Sequence, residues 1–261
     1  LCYVPPRDED GAETVEAARM AREGFRSDEA MLAGYTDADG TLEFYGRINA
    51  ALEPGMTVLD LGAGRAEWFE DDRCAWRRRM RLLRCKAARV VAADVDPAVL
   101  ANRASDEQLL IEGGRIPLPD ASVDLAVADY VLEHVEDPEA FAAEVGRVLK
   151  PGGLFCARTP HAWNYVSLAS RMVPNGLHAA VLGRVQVARK AEDVFPTHYR
   201  MNTRGEIARR FGGWRDYSYV YVPRPAYYFG RRWLYSLFAL GHRLPPPAAA
   251  GVVLAFLRKP V

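Results

Sequence analysis

Val58-Leu59-Asp60-Leu61-Gly62-Ala63-Gly64-Arg65-Ala66 is the stretch on which the reading of the whole chain turns. Val58, Leu59 and Leu61 form a short apolar run that reads as a buried strand, with Asp60 near its end. Gly62 and Gly64 follow at once. Lacking a Cβ, they permit a tight strand-to-helix turn and a close approach of the backbone to a ligand. A carboxylate at a strand end beside glycine-lined N–H groups suits a polar, cationic or zwitterionic ligand. The same D-x-G-x-G pattern also occurs in ordinary βα turns, so the decision rests on what surrounds it.

Downstream, strands and helices alternate. Arg89-Val90-Val91-Ala92-Ala93-Asp94 is a second apolar strand ending in a carboxylate. Asp96 with Pro97 forms an N-cap and first turn, and predicts a helix through Val99, Leu100 and Arg103. Leu109 to Glu112 reads as a third strand leading into Gly113-Gly114, and Val123 to Asp129 as a fourth. Asp137-Pro138 opens another helix with Phe141, Val145, Val148 and Leu149 as its apolar stripe, stopped by Lys150-Pro151-Gly152-Gly153. Leu154 to Arg158 is the fifth strand. Such alternation implies a parallel sheet covered by helices on both faces. In these sheets the ligand lies outside the carboxyl ends of the strands, and Asp60, Asp94, Glu112 and Asp129 all fall at or near those ends.

Upstream, residues 1–54 read as a helical lid, with a charged, alanine-rich segment from Thr14 to Glu23 and a second helix from Leu42 to Leu52. After the opening strand a helix begins near Glu67. The segment from Arg73 to Lys86 then crowds cations around Trp76, Met80 and Leu83, which recur at helical spacing. It reads either as a solvated basic face or as a landing strip for an anionic substrate group.

The 34 basic and 34 acidic side chains cancel, which argues against a generally basic nucleic-acid surface. The four cysteines form no C-x-x-C pair, and no apolar run reaches the roughly 18–20 residues of a membrane span. With no leader pattern at its start, the chain is expected to be a reduced, cytoplasmic enzyme. No carboxylate–histidine cluster argues for a metal.

The motifs in order resemble the class I S-adenosylmethionine-dependent methyltransferases, in their small-molecule, methyltransferase type 11-like branch. The carriers are Val58 to Gly64, Val91-Ala92-Ala93-Asp94-Val95-Asp96, Ile116-Pro117-Leu118-Pro119-Asp120-Ala121-Ser122-Val123-Asp124, Val131-Leu132-Glu133-His134-Val135-Glu136-Asp137, and Arg147 to Gly153. The resemblance implies an α/β, Rossmann-like, seven-stranded mostly parallel sheet in the order 3-2-1-4-5-7-6, with S-adenosyl-L-methionine as cofactor. It covers residues 55–159 closely. By it, Gly62, Ala63 and Gly64 lie against the methionine end, with Asp60 organising the loop and its ammonium. Asp94, followed by Val95, accepts from the ribose hydroxyls. Glu112 and Gly113 stand where the family places an adenine-amine acceptor, and Asp129, Tyr130 and Val131 line the opposite side. Ala66 replaces the loop's usual third glycine and is expected to narrow the turn. A dinucleotide oxidoreductase would need a glycine where Glu67 stands.

Residues 160–202 form a long connection read as a substrate cap, carrying His161, Trp163, Asn164, Tyr165, His178, Phe195, His198, Tyr199 and Arg200. Aromatics with histidines and an asparagine suit a sugar or other polyhydroxyl ring. Residues 203–261 complete the core with strands at Trp214 to Val222 and Ala250 to Lys259. Between them, residues 223–247 insert an aromatic, basic helix. That helix is either a core or dimer contact or a peripheral membrane contact through 227–243. His134, His161 and His198 are the candidate general bases. The reading is an O-methyltransferase acting on a saccharide-like or natural-product hydroxyl by in-line transfer. An RNA methyltransferase and a catalytically silent cofactor-binding scaffold subunit are the alternatives. The oligomeric state stays open.

Overall fold

The computed structural model describes residues 32, 34–165, 167–168, 196–225, 228, 230–243 and 246–261. The expected segment Thr14 to Glu23, with His178 and Phe195, lies outside them. The strands are β1 (Thr57–Leu61), β2 (Arg89–Asp94), β3 (Glu107–Leu110), β4 (Val123–Asp129), β5 (Leu149–Pro160), β6 (Arg215–Asp216), β7 (Tyr219–Tyr221) and β8 (Val252–Arg258). The helices are α1 (Gly40–Ala51), α2 (Trp68–Asp71), α3 (Ala75–Arg81), α4 (Pro138–Val148), α5 (Arg204–Arg210) and α6 (Arg232–His242).

The sheet runs β3-β2-β1-β4-β5-β8-β6, with β7 also on β8. Strands β1 to β5 pair in parallel, and β8 is antiparallel to β5. Because successive side chains point to opposite faces, each apolar run feeds two cores. Leu59, Leu61, Val91, Ala126, Phe155 and Val253 pack with Val145 and Val148 of α4 and Ile207 of α5. Their neighbours Val58, Val90, Leu125, Val127, Cys156 and Leu254 pack with Phe44, Tyr45 and Ile48 of α1. Each fully buried aromatic or branched side chain contributes about 1.5–3 kcal/mol.

Helix starts follow the expected caps. Asp39 accepts from the amides of Thr41 and Leu42 at the head of α1, and Asp137 from those of Glu139 and Ala140 at the head of α4. Several elements differ from expectation. The helix expected from Pro97 to Arg103 is a 3₁₀ turn, Pro97–Ala101, because Asn102 leaves the helical path and turns its buried side chain to the β1 loop. The helix near Glu67 is a single turn, α2. The third strand lies two residues earlier than read, with Val91 opposite Glu107, and Glu112 sits in a bridge with Arg115. The expected sixth strand is divided into β6 and β7. Both halves keep one register on β8, and the Ser218 hydroxyl replaces a main-chain carbonyl by accepting from the Phe256 amide at 3.2 Å. Taken as one interrupted strand, β6 and β7 restore the expected strand order.

The family-like stretch from Ile116 to Asp124 is structural. Arg147 donates to the carbonyls of Ile116 and Leu118 and pairs with Asp120 and Glu144. Asp124 accepts from the Thr57 amide and from Lys150, at the end of the sheet away from the strand-end carboxylates. The cysteine expectation is corrected: Cys85 is disulfide-bonded, while Cys74 and Cys156 are free and buried.

Candidate functional site

The strand order reverses between β1 and β4, and the carboxyl ends of β1, β2, β4 and β5 meet there. Gly62 and Gly64 open the loop after β1 with φ of +68° and +49°, in the left-handed region that glycine adopts without a Cβ penalty. A Cβ on Gly62 would stand 2.4 Å from Cγ2 of Val131, so this backbone is packed directly beneath the turn that follows β4. A Cβ on Gly64 would meet no atom within 4 Å, so there the backbone faces open space. Ala66 also lies in the left-handed region, at φ +56°. The loop therefore keeps a glycine-like conformation at its third position rather than narrowing.

Asp94 organises this loop. Its Oδ2 accepts from the Gly64 amide at 2.8 Å and its Oδ1 from the Asp96 amide at 3.1 Å. A carboxylate offers about four lone-pair sites, so both oxygens retain capacity for further donors. Asn102, which the sequence reading passed over, ties the loop from behind by donating to the Gly64 carbonyl at 2.9 Å. Val95 beside Asp94 is 64% exposed, an apolar surface of the kind that takes a flat ring. Glu112 and Gly113 are exposed at a turn two residues past β3.

The other carboxylates at the strand ends behave differently. Arg158, the last charged residue of β5, grips Asp129 with Nε at 2.7 Å and Nη2 at 2.8 Å. The Tyr45 hydroxyl donates to the same carboxylate at 3.2 Å, and Arg81 approaches it at 3.6 Å. Burial opposes charge on Asp129, but Arg158, Arg81 and Tyr45 together hold its carboxyl below the usual range. Arg158 also donates to Thr41 and lies 4.6 Å from the Tyr130 ring centroid. Asp60 is pushed the other way, up to about 7, chiefly by burial and then by repulsion from Asp129 and Asp94, against Arg81. Arg81 lies over the Trp68 ring at 4.4 Å and the Tyr45 ring at 5.6 Å, which brings a cation of α3 to this cluster.

Three further cations of the basic segment are absorbed into the fold. Arg77 pairs with Asp72 and Asp39, Arg84 with Asp106, and Lys86 donates to Asn49. Met80 and Leu83 pack as expected, but Trp76 is 49% exposed and forms no packed edge.

The histidines fall into two settings. The 3₁₀ turn Leu132–His134 follows β4 directly, and residues 196–202 lie along it. His134 Nδ1 is 2.8 Å from the Pro196 carbonyl. A carbonyl only accepts, so Nδ1 carries the proton and the imidazole lone pair resides on Nε2. The amides of His198 and Tyr199 both donate to the Glu133 carbonyl, which brings His198 beside the same turn. Glu133 is buried, and its carboxyl accepts from Thr159 at 2.8 Å, which in turn accepts from Asn202 at 2.5 Å. His161, at the end of β5, is buried. Its Nδ1 accepts from the Trp163 amide at 3.1 Å, so its proton sits on Nε2. Burial lowers its pKa, with Glu206 opposing.

Glu133, Arg158, Arg81 and Asn202 were missed by sequence reasoning. Glu133 stands inside a quoted motif. Arg81 stands inside the basic segment, and the other two carry no signal until β4, β5 and the 196–202 segment are placed together. Among the described residues, no group of His, Cys, Asp and Glu could hold a metal ion, and no helix is long and apolar enough to cross a membrane.

The residues at the β1 loop fit a zwitterionic nucleoside cofactor: open backbone at Gly64, a two-oxygen acceptor at Asp94, an exposed apolar side chain at Val95. Comparison with known proteins agrees. A family model described as a methyltransferase domain matches residues 59–157. Over residues 59–157 the chain is similar to the class I S-adenosylmethionine-dependent methyltransferases. A protein of Mycolicibacterium smegmatis named as a probable S-adenosylmethionine-dependent methyltransferase is 44% identical over 111 residues, 41% of this chain and 39% of that one. The malonyl-acyl-carrier-protein O-methyltransferase of Serratia marcescens is 32% identical over 110 residues, again 41% of this chain and 39% of that one. The matched stretch thus spans about two fifths of the length of these relatives. A chain solved in a complex between the Haloferax volcanii Trm112 methyltransferase activator and a methyltransferase shares the fold. Its TM-score is 0.54 at 19% identity, covering 98% of this chain and 100% of that one.

Proposed function

We propose that this protein transfers a methyl group from S-adenosyl-L-methionine to a hydroxyl of a small-molecule acceptor, with His134 as general base. The observation that carries the base assignment is the Pro196 carbonyl on His134 Nδ1, which leaves the ring's accepting nitrogen as Nε2. In this reading Gly62, Ala63 and Gly64 hold the methionine end with Asp60 toward its ammonium. Asp94 takes the ribose hydroxyls, and Glu112 with Gly113 the adenine amine. Tyr130 and Val131 flank the opposite side, while Asp129 acts through Arg158 and Tyr45 to keep that wall rigid.

When bound, S-adenosylmethionine supplies a methyl already activated on a sulfonium. What the chain adds is alignment, worth about 7–11 kcal/mol in favourable cases, and removal of the acceptor's proton. His134 Nε2 takes that proton as the oxygen attacks. The Pro196 carbonyl stabilises the resulting imidazolium through Nδ1–H. His161 is a weaker base candidate, because its accepting nitrogen already receives the Trp163 amide. Oxygen as the accepting atom is supported by the Serratia marcescens relative, which is named for O-methylation. A ring-shaped, polyhydroxyl acceptor is supported by Trp163, whose indole is 61% exposed beside His161 and Asn164. Incubating the protein with labelled S-adenosylmethionine and cell-extract fractions, then identifying the labelled product by mass, tests the proposal. Label on a hydroxylated small molecule is the expected result; label recovered only in RNA would replace it with the nucleic-acid reading.

Asp60 gives the cofactor site a pH dependence. With its carboxyl up at about 7, the apo protein holds a proton there at lower pH. A cationic ammonium nearby favours the carboxylate, so binding below that value releases the proton and affinity rises with pH. Between about pH 6 and 7 the dissociation constant should fall by up to about tenfold. Calorimetry in two buffers of different ionisation enthalpy reads the proton release directly, and identical heats in both would remove Asp60 from the binding step.

A further inference from the structure

Helix α6 packs through one face and turns an apolar stripe outward. On the inner face Phe238 stacks on Tyr165 with ring centroids 5.3 Å apart, and His242 Nδ1 lies 2.8 Å from the Pro223 carbonyl. Tyr235 meets Tyr228 edge-on at 5.1 Å. On the outer face Trp233, Leu237 and Leu240 recur at i, i+4 and i+7, one side of a helix, and are 62%, 56% and 59% exposed. Contiguous exposed apolar side chains of this kind mark an interaction surface.

Along the sequence, the charged residues on either side of the stripe are of one sign. Arg231 and Arg232 stand at the N-terminal end of α6 and Arg243 at its C-terminal end, all exposed. From Tyr217 to Val261 the sequence contains no Asp or Glu. A cation at a helix N-terminus opposes the helix dipole, so helix stability does not account for Arg231. An external anionic surface does.

We propose that α6 docks in the plane of an anionic lipid bilayer. Trp233, Leu237 and Leu240 enter the boundary between headgroups and acyl chains, and the arginines at both helix ends reach lipid phosphates. A single outward stripe of large apolar side chains with cations at both ends matches a planar surface that is apolar beneath and anionic above. This docking does not depend on the catalytic reading.

The test is flotation of the full chain with vesicles of phosphatidylglycerol and phosphatidylcholine, against vesicles of phosphatidylcholine alone. The expected result is co-flotation with the anionic vesicles that weakens with added salt. A Trp233→Ser/Leu237→Ser variant should lose about tenfold or more in partitioning, since binding scales with the apolar area buried. An Arg231→Gln/Arg243→Gln variant should lose the preference for anionic vesicles. Both should keep the wild-type unfolding midpoint, which separates lost docking from lost folding. Three results would overturn the proposal: no flotation of the wild type, undiminished flotation of the Trp233→Ser/Leu237→Ser variant, or a vesicle-independent dimer that the same variant abolishes. The last would make a second copy of the chain the occupant of the stripe.

Discussion

Arg158→Ala should destabilise the protein by about 3–5 kcal/mol, read as a fall in the urea midpoint with an unchanged slope. The guanidinium is 5% exposed as part of its residue and makes paired bonds to Asp129 at 2.7 and 2.8 Å. Its loss leaves a buried carboxylate with the Tyr45 hydroxyl at 3.2 Å and a distant Arg81 at 3.6 Å. The carboxylate would also face Asp60, already repelled by it. The sign with pH follows from Asp129, whose carboxyl is held below its ordinary range in the fold. Its favourable contribution is present above the unfolded carboxylate value and lost as pH falls through the folded one. The gap between variant and wild type should therefore be full at neutral pH and close on acidification, as Asp129 takes up a proton in both. Arg158→Met combined with Asp129→Leu should recover most of the loss, because a packed apolar pair needs no charge compensation. A single variant as stable as wild type would mean that the ion pair is not the element binding β4, β5 and α1 together at the site.

His134→Asn should lower kcat by about 10²–10⁴-fold once the acceptor is known, with KM and cofactor affinity nearly unchanged. The asparagine amide can still donate to the Pro196 carbonyl, so the turn after β4 keeps its geometry while losing the proton acceptor. His161→Asn should cost less, because its Nδ1 is engaged by the Trp163 amide. Equal losses in both variants, or activity within a few-fold of wild type for His134→Asn, would move the base elsewhere.

The fold was legible in the chain to the extent that its signals are local. The strands β1, β2 and β4, the cap Asp137-Pro138, and the left-handed turn after Leu61 depend on apolar runs, capping side chains and glycine, all readable within a few residues. Asp129 shows where this stops. Its position at a strand end looks like that of Asp94, yet its carboxylate belongs to Arg158 and Tyr45, residues 29 and 84 positions away. The cations of the 73–86 segment were ambiguous for the same reason, since Asp39 and Asp106 that engage Arg77 and Arg84 lie 38 and 22 positions off. Ser218 could not be foreseen as a ladder acceptor, because a hydroxyl replacing a carbonyl leaves no periodicity behind. Ala66 is subtler still: composition says the glycine is missing, whereas the backbone at φ +56° says the glycine conformation is kept.

The account stands on the cofactor occupying the loop between β1 and β2, and calorimetric titration of the protein with S-adenosylmethionine tests that most directly. Wild type should bind one equivalent, and Asp94→Ala should lose at least about tenfold in affinity, since charge-assisted hydrogen bonds contribute about 1.5–3 kcal/mol each. Equal affinity in the two proteins, or no heat with wild type, would contradict it.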